Sequence, residues 1–255
     1  MVGFDITSIL DFQPPNRICP ACRGLIKAIK TEHDQDWNVT AESCPVCQVR
    51  YVKEVDTWAS DVSLHQHFRN EGLVIDHRDL FPHATTLAKV VHDARHSLSG
   101  PWPTMRTFFE VISRARYFVH FTSWGISHQM IGALKMASMR VPVFGFVSNV
   151  EPHARAELTE YPREAPKLVA KVIPSDQGAY DAPHRKILII DGLVAFKGST
   201  NLTNAGPRRA DRALDLTEVV TDFAQVTDLN NKYFAPVWRH VTSPDETFVW
   251  SPVPF

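Results

Sequence analysis

The sequence has no apolar run approaching the roughly 18 to 20 residues of a membrane span. Its first residues, "MVGFDITSILDFQPPNR", lack the basic start of a secretory leader. The expectation is a cytoplasmic protein with no membrane attachment. It also lacks charge of one sign: a net charge of −1 on 255 residues gives no global attraction to a polyanion. Cysteine is scarce, with only four residues, and without a leader a secreted disulfide framework is not expected. No Glu occupies the second position of a His-Glu-x-x-His pattern, so the zinc-protease signature is excluded. What is present, 44% hydrophobic and 22% charged residues, is ordinary for a globular chain that can hold one sizeable domain and a small one.

The four cysteines fall in "CPACRGLIKAIKTEHDQDWNVTAESCPVCQ" as Cys19, Cys22, Cys44 and Cys47, two Cys-Pro-x-Cys knuckles with 21 residues between them. That is the spacing of a tetrahedral four-thiolate zinc site. Each knuckle wraps two thiolates around one face of one ion, and the chain between, with Trp37 and Val39 as strand candidates, forms the ribbon hairpin. A fully occupied four-thiolate site leaves no open coordination position, so the zinc is expected to be structural. Such a ribbon can face nucleic acid or a partner protein.

Beyond it, Asp61 to Leu98 reads as a connector rich in histidine. His65, His67, His92 and His96 are expected to be surface or helix-packing residues. "SGPWP" marks a break. From Thr104 helices and strands alternate: "TMRTFFEVISRA" and "SHQMIGALKMASM", with Ser127 as its N-cap, have helical spacing, while "RYFVHFTSW", "RVPVFGFVS", "KLVAKVIP" and "LTEVVTD" read as strands. "PHARAELTEYPREAP" reads as irregular, "GPRRADR" as a loop, and a closing helix runs from Phe223 to Phe234 before an irregular tail. The alternation implies an α/β domain with helices covering a mixed sheet. The resulting division is 1–58 for the ribbon, 59–103 for a helical connector and 104–255 for the main domain with its tail. Charge is uneven: Arg106, Arg114, Arg116, Lys135 and Arg140 stand against Glu110, and Arg208, Arg209 and Arg212 against Asp211. Local basicity of this kind suits a phosphate-bearing polymer.

The most informative stretch is His184 to Asn201, "HRKILIIDGLVAFKGSTN". Two apolar runs flank Asp191-Gly192, the strongest short hairpin signal. With a two-residue turn, Ile190 pairs with Leu193, Lys186 with Lys197, and His184 with Ser199, unless a bulge near Gly198 shifts the register. Side chains alternate along a strand, so His184, Lys186, Lys197 and Ser199 share one face, with Asn201 two residues further along. An imidazole, an ammonium, a hydroxyl and an amide gathered at one hairpin end make an anion site with a nucleophile in it.

The pattern His184-x-Lys186, four residues, Asp191, six residues, Gly198-Ser199-x-Asn201 resembles the His-Lys-Asp signature of the phospholipase D superfamily. The strand-helix-strand unit from Tyr117 to Val147 and the downstream Glu218 are also similar to the family domain, and the likeness spans roughly residues 104 to 240. The resemblance implies a phospholipase D-like mixed sheet flanked by helices. It implies that His184 attacks phosphorus to give a phosphohistidine, that Lys186, Ser199 and Asn201 hold the non-bridging oxygens, and that Glu218 orients the imidazole. Asp191, at the far end of the hairpin, is expected to support the fold behind the site. The family's chemistry needs two histidines, and this chain has one copy of the motif, so a homodimer with both motifs at the interface is implied. No catalytic metal is expected, because Lys186 and its polar neighbours supply the positive field.

The substrate expected is nucleic acid, DNA or RNA, on the strength of the Arg-rich flanks and the ribbon, and the resemblance adds a setting in bacterial phage defence. Two other readings stand beside it. One is a phospholipid hydrolase, against which speaks the absence of an anchor or an amphipathic apolar face. The other is a zinc-ribbon adaptor whose main domain only binds phosphate, against which speaks the complete motif.

Overall fold

The structure is a computed structural model. It describes residues 17–19, 22–26, 30–36, 39–47, 50–54, 57–58, 77–96, 103–159, 165, 167–173 and 184–242. Trp37, His65, His67 and the tail after Thr242 lie outside them.

The ribbon consists of two small sheets. β1 (Arg17–Ile18) and β2 (Leu25–Ile26) pair antiparallel around the first knuckle. β3 (Lys30–His33), β4 (Val39–Ser43), β5 (Arg50–Glu54) and β6 (Thr57–Trp58) form an antiparallel meander. Val39 therefore opens a strand, as expected.

The main sheet has six strands in the order β12-β11-β10-β7-β8-β9. They are β7 (Val119–Ser123), β8 (Val143–Val147), β9 (Leu168–Val172), β10 (Lys186–Ile190), β11 (Val194–Gly198) and β12 (Thr217–Val220). β7, β8 and β9 run parallel, while β10 is antiparallel to β7 and to β11. The sheet is thus the mixed, helix-flanked sheet expected.

β10 is apolar without interruption after Lys186 because both its faces are covered. Leu188 and Ile190 join the core beneath α1 (His77–His96), α2 (Pro103–Ser113) and α3 (His128–Ser138), which contribute Leu87, Phe108 and Met130 among others. Ile187 and Ile189 face the other way. They meet Phe118, Val226 and Leu229, together with Ile18 and Leu25 from the first ribbon hairpin. The ribbon is therefore packed on the sheet and shares its core.

Two segments expected to be irregular are helical. "PHARAELT" is α4 (Pro152–Thr159), and its Pro takes the first position, where no intrahelical N–H is needed. The Arg-rich stretch expected as a loop is α5 (Ala205–Asp211), whose Pro207 sits within the first turn. Ser127 precedes α3, yet its hydroxyl donates to Asn204 at 3.0 Å instead of capping the helix. The closing helix runs past Phe234: α6 (Phe223–Leu229) passes through a π-helical turn (Asn230–Phe234) into α7 (Ala235–Thr242).

The π turn directs two neighbouring asparagines at the ribbon. Asn231 accepts from the Leu25 N–H at 2.8 Å and donates to the Leu25 carbonyl at 2.9 Å. Asn230 donates to the Arg23 carbonyl at 3.0 Å, and its Oδ1 accepts from His120 Nδ1 at 2.7 Å. His120 is fully buried and stacked 4.2 Å from Phe234, and burial, then Arg23, holds it well below its ordinary value, so it is a neutral core residue.

Candidate active site

The hairpin lies where Asp191-Gly192 places it, but its register differs by one residue from the expectation. Asp191 and Gly192 both have positive φ, 57° and 69°, and Leu193 is added to the loop, so Ile190 pairs with Val194 and Lys186 with Gly198. A one-residue shift turns every partner to the other face. Lys197 consequently stands opposite Ile187 and faces away from Lys186. Glu218 pairs with Lys197 in the ladder, and their side chains form an ion pair at 3.2 Å on that far face. In this arrangement Glu218 meets Lys197, and its expected role in orienting His184 stays a proposal.

Lys186 and His184 form the centre of the near face. Lys186 is buried, with its Nζ 2.9 Å from His184 Nδ1 and 3.1 Å from Nε2, and it donates to the His184 carbonyl at 2.5 Å. The imidazole itself is exposed. Burial, then the Lys186 charge, lowers the His184 pKa, so the ring stays neutral and nucleophilic. Burial also pulls Lys186 down to about 8, against an upward pull from Asp215.

Asn201 is oriented by the loop after β7. Its Oδ1 accepts from Trp124 N at 3.2 Å and Gly125 N at 3.4 Å. Backbone donors fix which end of the amide is oxygen, so the NH2 end is the one presented to a ligand. Trp124 also places its ring 5.0 Å from the His184 ring, which brings Asn201, Trp124 and His184 together at one end of the sheet.

Ser199 has its hydroxyl engaged at the turn before β12. It donates to Asp215 Oδ1 at 3.0 Å and accepts from Leu216 N at 2.8 Å. In this arrangement it closes the turn before β12. Asp215 is the acidic residue that sequence reasoning missed: it touches Ser199, accepts from Arg209 Nε at 2.8 Å, and acts on Lys186. The signal was strand parity. Asp215 stands two residues before Thr217, the partner of Gly198, which is in turn the partner of Lys186.

Asp191 lies at the opposite end of the hairpin. Its carboxylate accepts from the backbone N–H groups of Arg116, Tyr117 and Phe118 at 3.0, 2.8 and 2.8 Å, and lies 2.6 Å from His83 Nε2. It ties α1 and the entry to β7 to the turn and does not reach His184. Much of the basic stretch from Arg106 to Arg140 is spent locally: Arg106 pairs with Glu110, Lys135 with Glu157, and Arg140 donates to the Ser113 carbonyl.

Cys19, Cys22, Cys44 and Cys47 are buried, and their sulfurs all lie within 4.8 Å of one another. Two pairs stand at 3.8 and 4.0 Å, close to the roughly 3.8 Å edge of a tetrahedron with Zn–S bonds of about 2.3 Å. The Gly24 and Val46 N–H groups donate to Cys22 and Cys44, the pattern expected for thiolates. Crowding splits the four groups: hydrogen bonding, foremost with Cys22, holds Cys19 well below the thiol range, while Cys19 pushes Cys22 and Cys47 well above it. The set fits a single zinc ion held by four cysteines.

No protein-family model and no curated protein sequence matches the chain. Among solved structures, NucT from Helicobacter pylori aligns with 20% identity and a TM-score of 0.39, covering 56% of this chain and 86% of that one. Nuc from Salmonella typhimurium, a phospholipase D family member, aligns with 16% identity and a TM-score of 0.38 over 51% of this chain and 83% of that one. TrmBL2, an archaeal chromatin protein, aligns with 13% identity and a TM-score of 0.37 over 78% and 75%. The superpositions are loose. No helix among the described residues is long and apolar enough to cross a membrane.

Proposed function

We propose that this chain is a phospholipase D-like phosphodiesterase that cleaves nucleic acid through a phosphohistidine, with a structural zinc in its ribbon. The observation that carries the reading is the contact of the buried Lys186 ammonium with both ring nitrogens of an exposed, neutral His184, next to an Asn201 amide whose NH2 end is presented by two backbone donors on its oxygen. A nucleophile, a cation and a directed amide donor at one strand end are what displacement at a phosphodiester requires.

In the proposed reaction a His184 nitrogen bonds to phosphorus and the bond to the leaving oxygen breaks. The pentavalent charge is met by Lys186 and the Asn201 amide. The leaving oxygen takes its proton from His184 of a second copy, which then deprotonates the water that splits the phosphohistidine. Leu214 and Leu216, 60% and 65% exposed on either side of Asp215, favour a second copy covering this rim. Since Lys186 supplies the positive charge, turnover is expected without a divalent ion. A setting in phage defence fits such a nuclease, and the cytoplasm fits its substrate.

The test is cleavage of single- and double-stranded DNA, RNA and phospholipid vesicles in excess EDTA by the wild type and by His184→Ala. Cleavage of a nucleic acid by the wild type alone supports the reading. Cleavage of vesicles only would make it a lipid hydrolase, and inactivity on all four with retained phosphate binding would make it an adaptor. Activity that falls more steeply than linearly on dilution would report the dimer.

A further inference from the structure

We propose that the indole of Trp124 is a seat for one nucleobase beside the scissile phosphate, so that the site selects unpaired nucleic acid. This rests on the nuclease reading above.

Three observations place a stacking surface there. Trp124 leaves the end of β7 half-buried, with its ring centroid 5.0 Å from that of His184 and inclined by 60°. Its backbone is held on both sides. The N–H donates to Asn201 Oδ1 at 3.2 Å, and the carbonyl accepts from Ser148 and Asn149 N–H groups at 3.2 and 2.6 Å. The same residue that positions the phosphate-directed amide thus carries a large flat apolar face at the rim. A core role does not require the ring to be there, since the cores on both faces of the sheet are built from other residues.

A phosphate held by His184, Lys186 and Asn201 has a nucleoside on each side, and the indole lies where one of them must pass. Every base offers a π-face, and stacking on an aromatic side chain tolerates any sequence. In a duplex each base face is already covered by its neighbours, whereas an unpaired base can turn a face to the protein. The other ligand chemistry suited to an indole is a quaternary ammonium headgroup. That is disfavoured here, because Lys186 places a positive charge against the same imidazole.

The test compares wild type, Trp124→Ala and Trp124→Phe on a single-stranded oligonucleotide, on the same strand with abasic residues flanking the cut position, and on its duplex. Stacking contributes about 1–3 kcal/mol per base, which predicts a rise in KM of about 5- to 140-fold for Trp124→Ala on the intact strand with kcat little changed. Trp124→Phe should keep most of the affinity, and wild type and Trp124→Ala should cleave the abasic strand alike. A loss of kcat by Trp124→Ala on intact and abasic strands equally would overturn the base seat and leave the ring as support for His184. A wild type that prefers duplex would overturn it as well. Cleavage of phosphatidylcholine vesicles and no nucleic acid by the wild type would remove the nuclease reading, and the base seat with it.

Discussion

Asn231 closes both hydrogen-bonding positions of Leu25, accepting from its N–H at 2.8 Å and donating to its carbonyl at 2.9 Å, across 206 positions of sequence. Leu25 follows the first zinc knuckle directly, and its side chain lies in the core beneath β10. The knuckle is thereby part of the main domain's packing, and the metal's folding energy is expected to reach the main sheet. Removing zinc with a strong chelator should cost at least several kcal/mol. At about 2–4 °C per kcal/mol for a chain of this size, the melting midpoint should fall by on the order of 10 °C. Calorimetry should show one transition moving as a whole. A separate ribbon transition with the main peak unmoved would show that the two parts melt independently. Asn231→Ala should cost about 1–3 kcal/mol, because it strands both polar groups of a buried peptide.

The Asp191 carboxylate predicts a purely structural phenotype. It satisfies three backbone donors and meets His83 at 2.6 Å, with both side chains buried. Asp191→Ala removes the acceptor they share and should cost about 3–5 kcal/mol. The surviving folded fraction should keep its kcat, because the carboxylate sits at the end of the hairpin away from His184. A kcat falling a hundredfold at unchanged stability would mean that Asp191 reaches the chemistry after all.

The cysteine knuckles, the hairpin turn and the strands were legible locally, whereas the hairpin register, the helices that open at Pro152 and Ala205 and the contacts between distant parts of the chain were not. The knuckles are legible because ligand spacing is local, and the hairpin because Asp191-Gly192 favours positive φ. Its register turned on whether Leu193 belongs to the strand or the loop, and that single residue carried Lys197 to the far face. Asp215 was missed for the same reason. Helix α5 was hidden because Gly206 and Pro207 mark loops in most contexts, although a Pro in the first turn blocks no intrahelical bond. The docking of the ribbon could not be read at all, since it depends on a π turn that points Asn230 and Asn231 at backbone more than 200 residues earlier.

Two carboxylates on opposite faces of β12 and its entry make opposite predictions. Asp215→Asn loses the charge that supports Lys186 and the partner of Ser199 and Arg209. It should lower kcat/KM by about 10- to 100-fold. Glu218→Gln breaks only a half-exposed pair with Lys197 and should change activity less than about twofold and stability by less than about 1 kcal/mol. Steady-state kinetics on the two variants decide it. The reverse ranking would restore Glu218 to the site.

Gly198 is a position at which the backbone beside the site tolerates no side chain. Its φ is 145°, and a Cβ there would stand 2.1 Å from the Leu216 carbonyl oxygen. That carbonyl belongs to the ladder of contacts that holds Ser199 beside Asp215. Gly198→Ala should therefore cost about 3 kcal/mol and lower kcat in the folded fraction, because β12 must move away from Lys186. Denaturant unfolding with parallel kinetics checks both parts, and an unchanged midpoint would contradict the clash.

Activity should depend on pH through both copies of His184, one neutral to attack and one protonated to give its proton to the leaving oxygen, and through Lys186. His184 attacks only as the neutral imidazole, so kcat/KM falls as pH drops through its pKa, which burial and Lys186 place below the ordinary 6.5. Lys186 binds phosphate oxygen only as the ammonium. Beyond the fall that follows loss of the second copy's His184 proton, activity should therefore take a further step down as pH rises past about 8, where burial has brought the Lys186 pKa. Asp215 raises that pKa, so Asp215→Asn should move the alkaline limb below 8 and leave the acid limb nearly in place. The profile of kcat/KM reports the free enzyme and is the measurement to use. An alkaline limb near 10.5, the ordinary lysine value, would mean that Lys186 is solvated and is not the buried cation of the site.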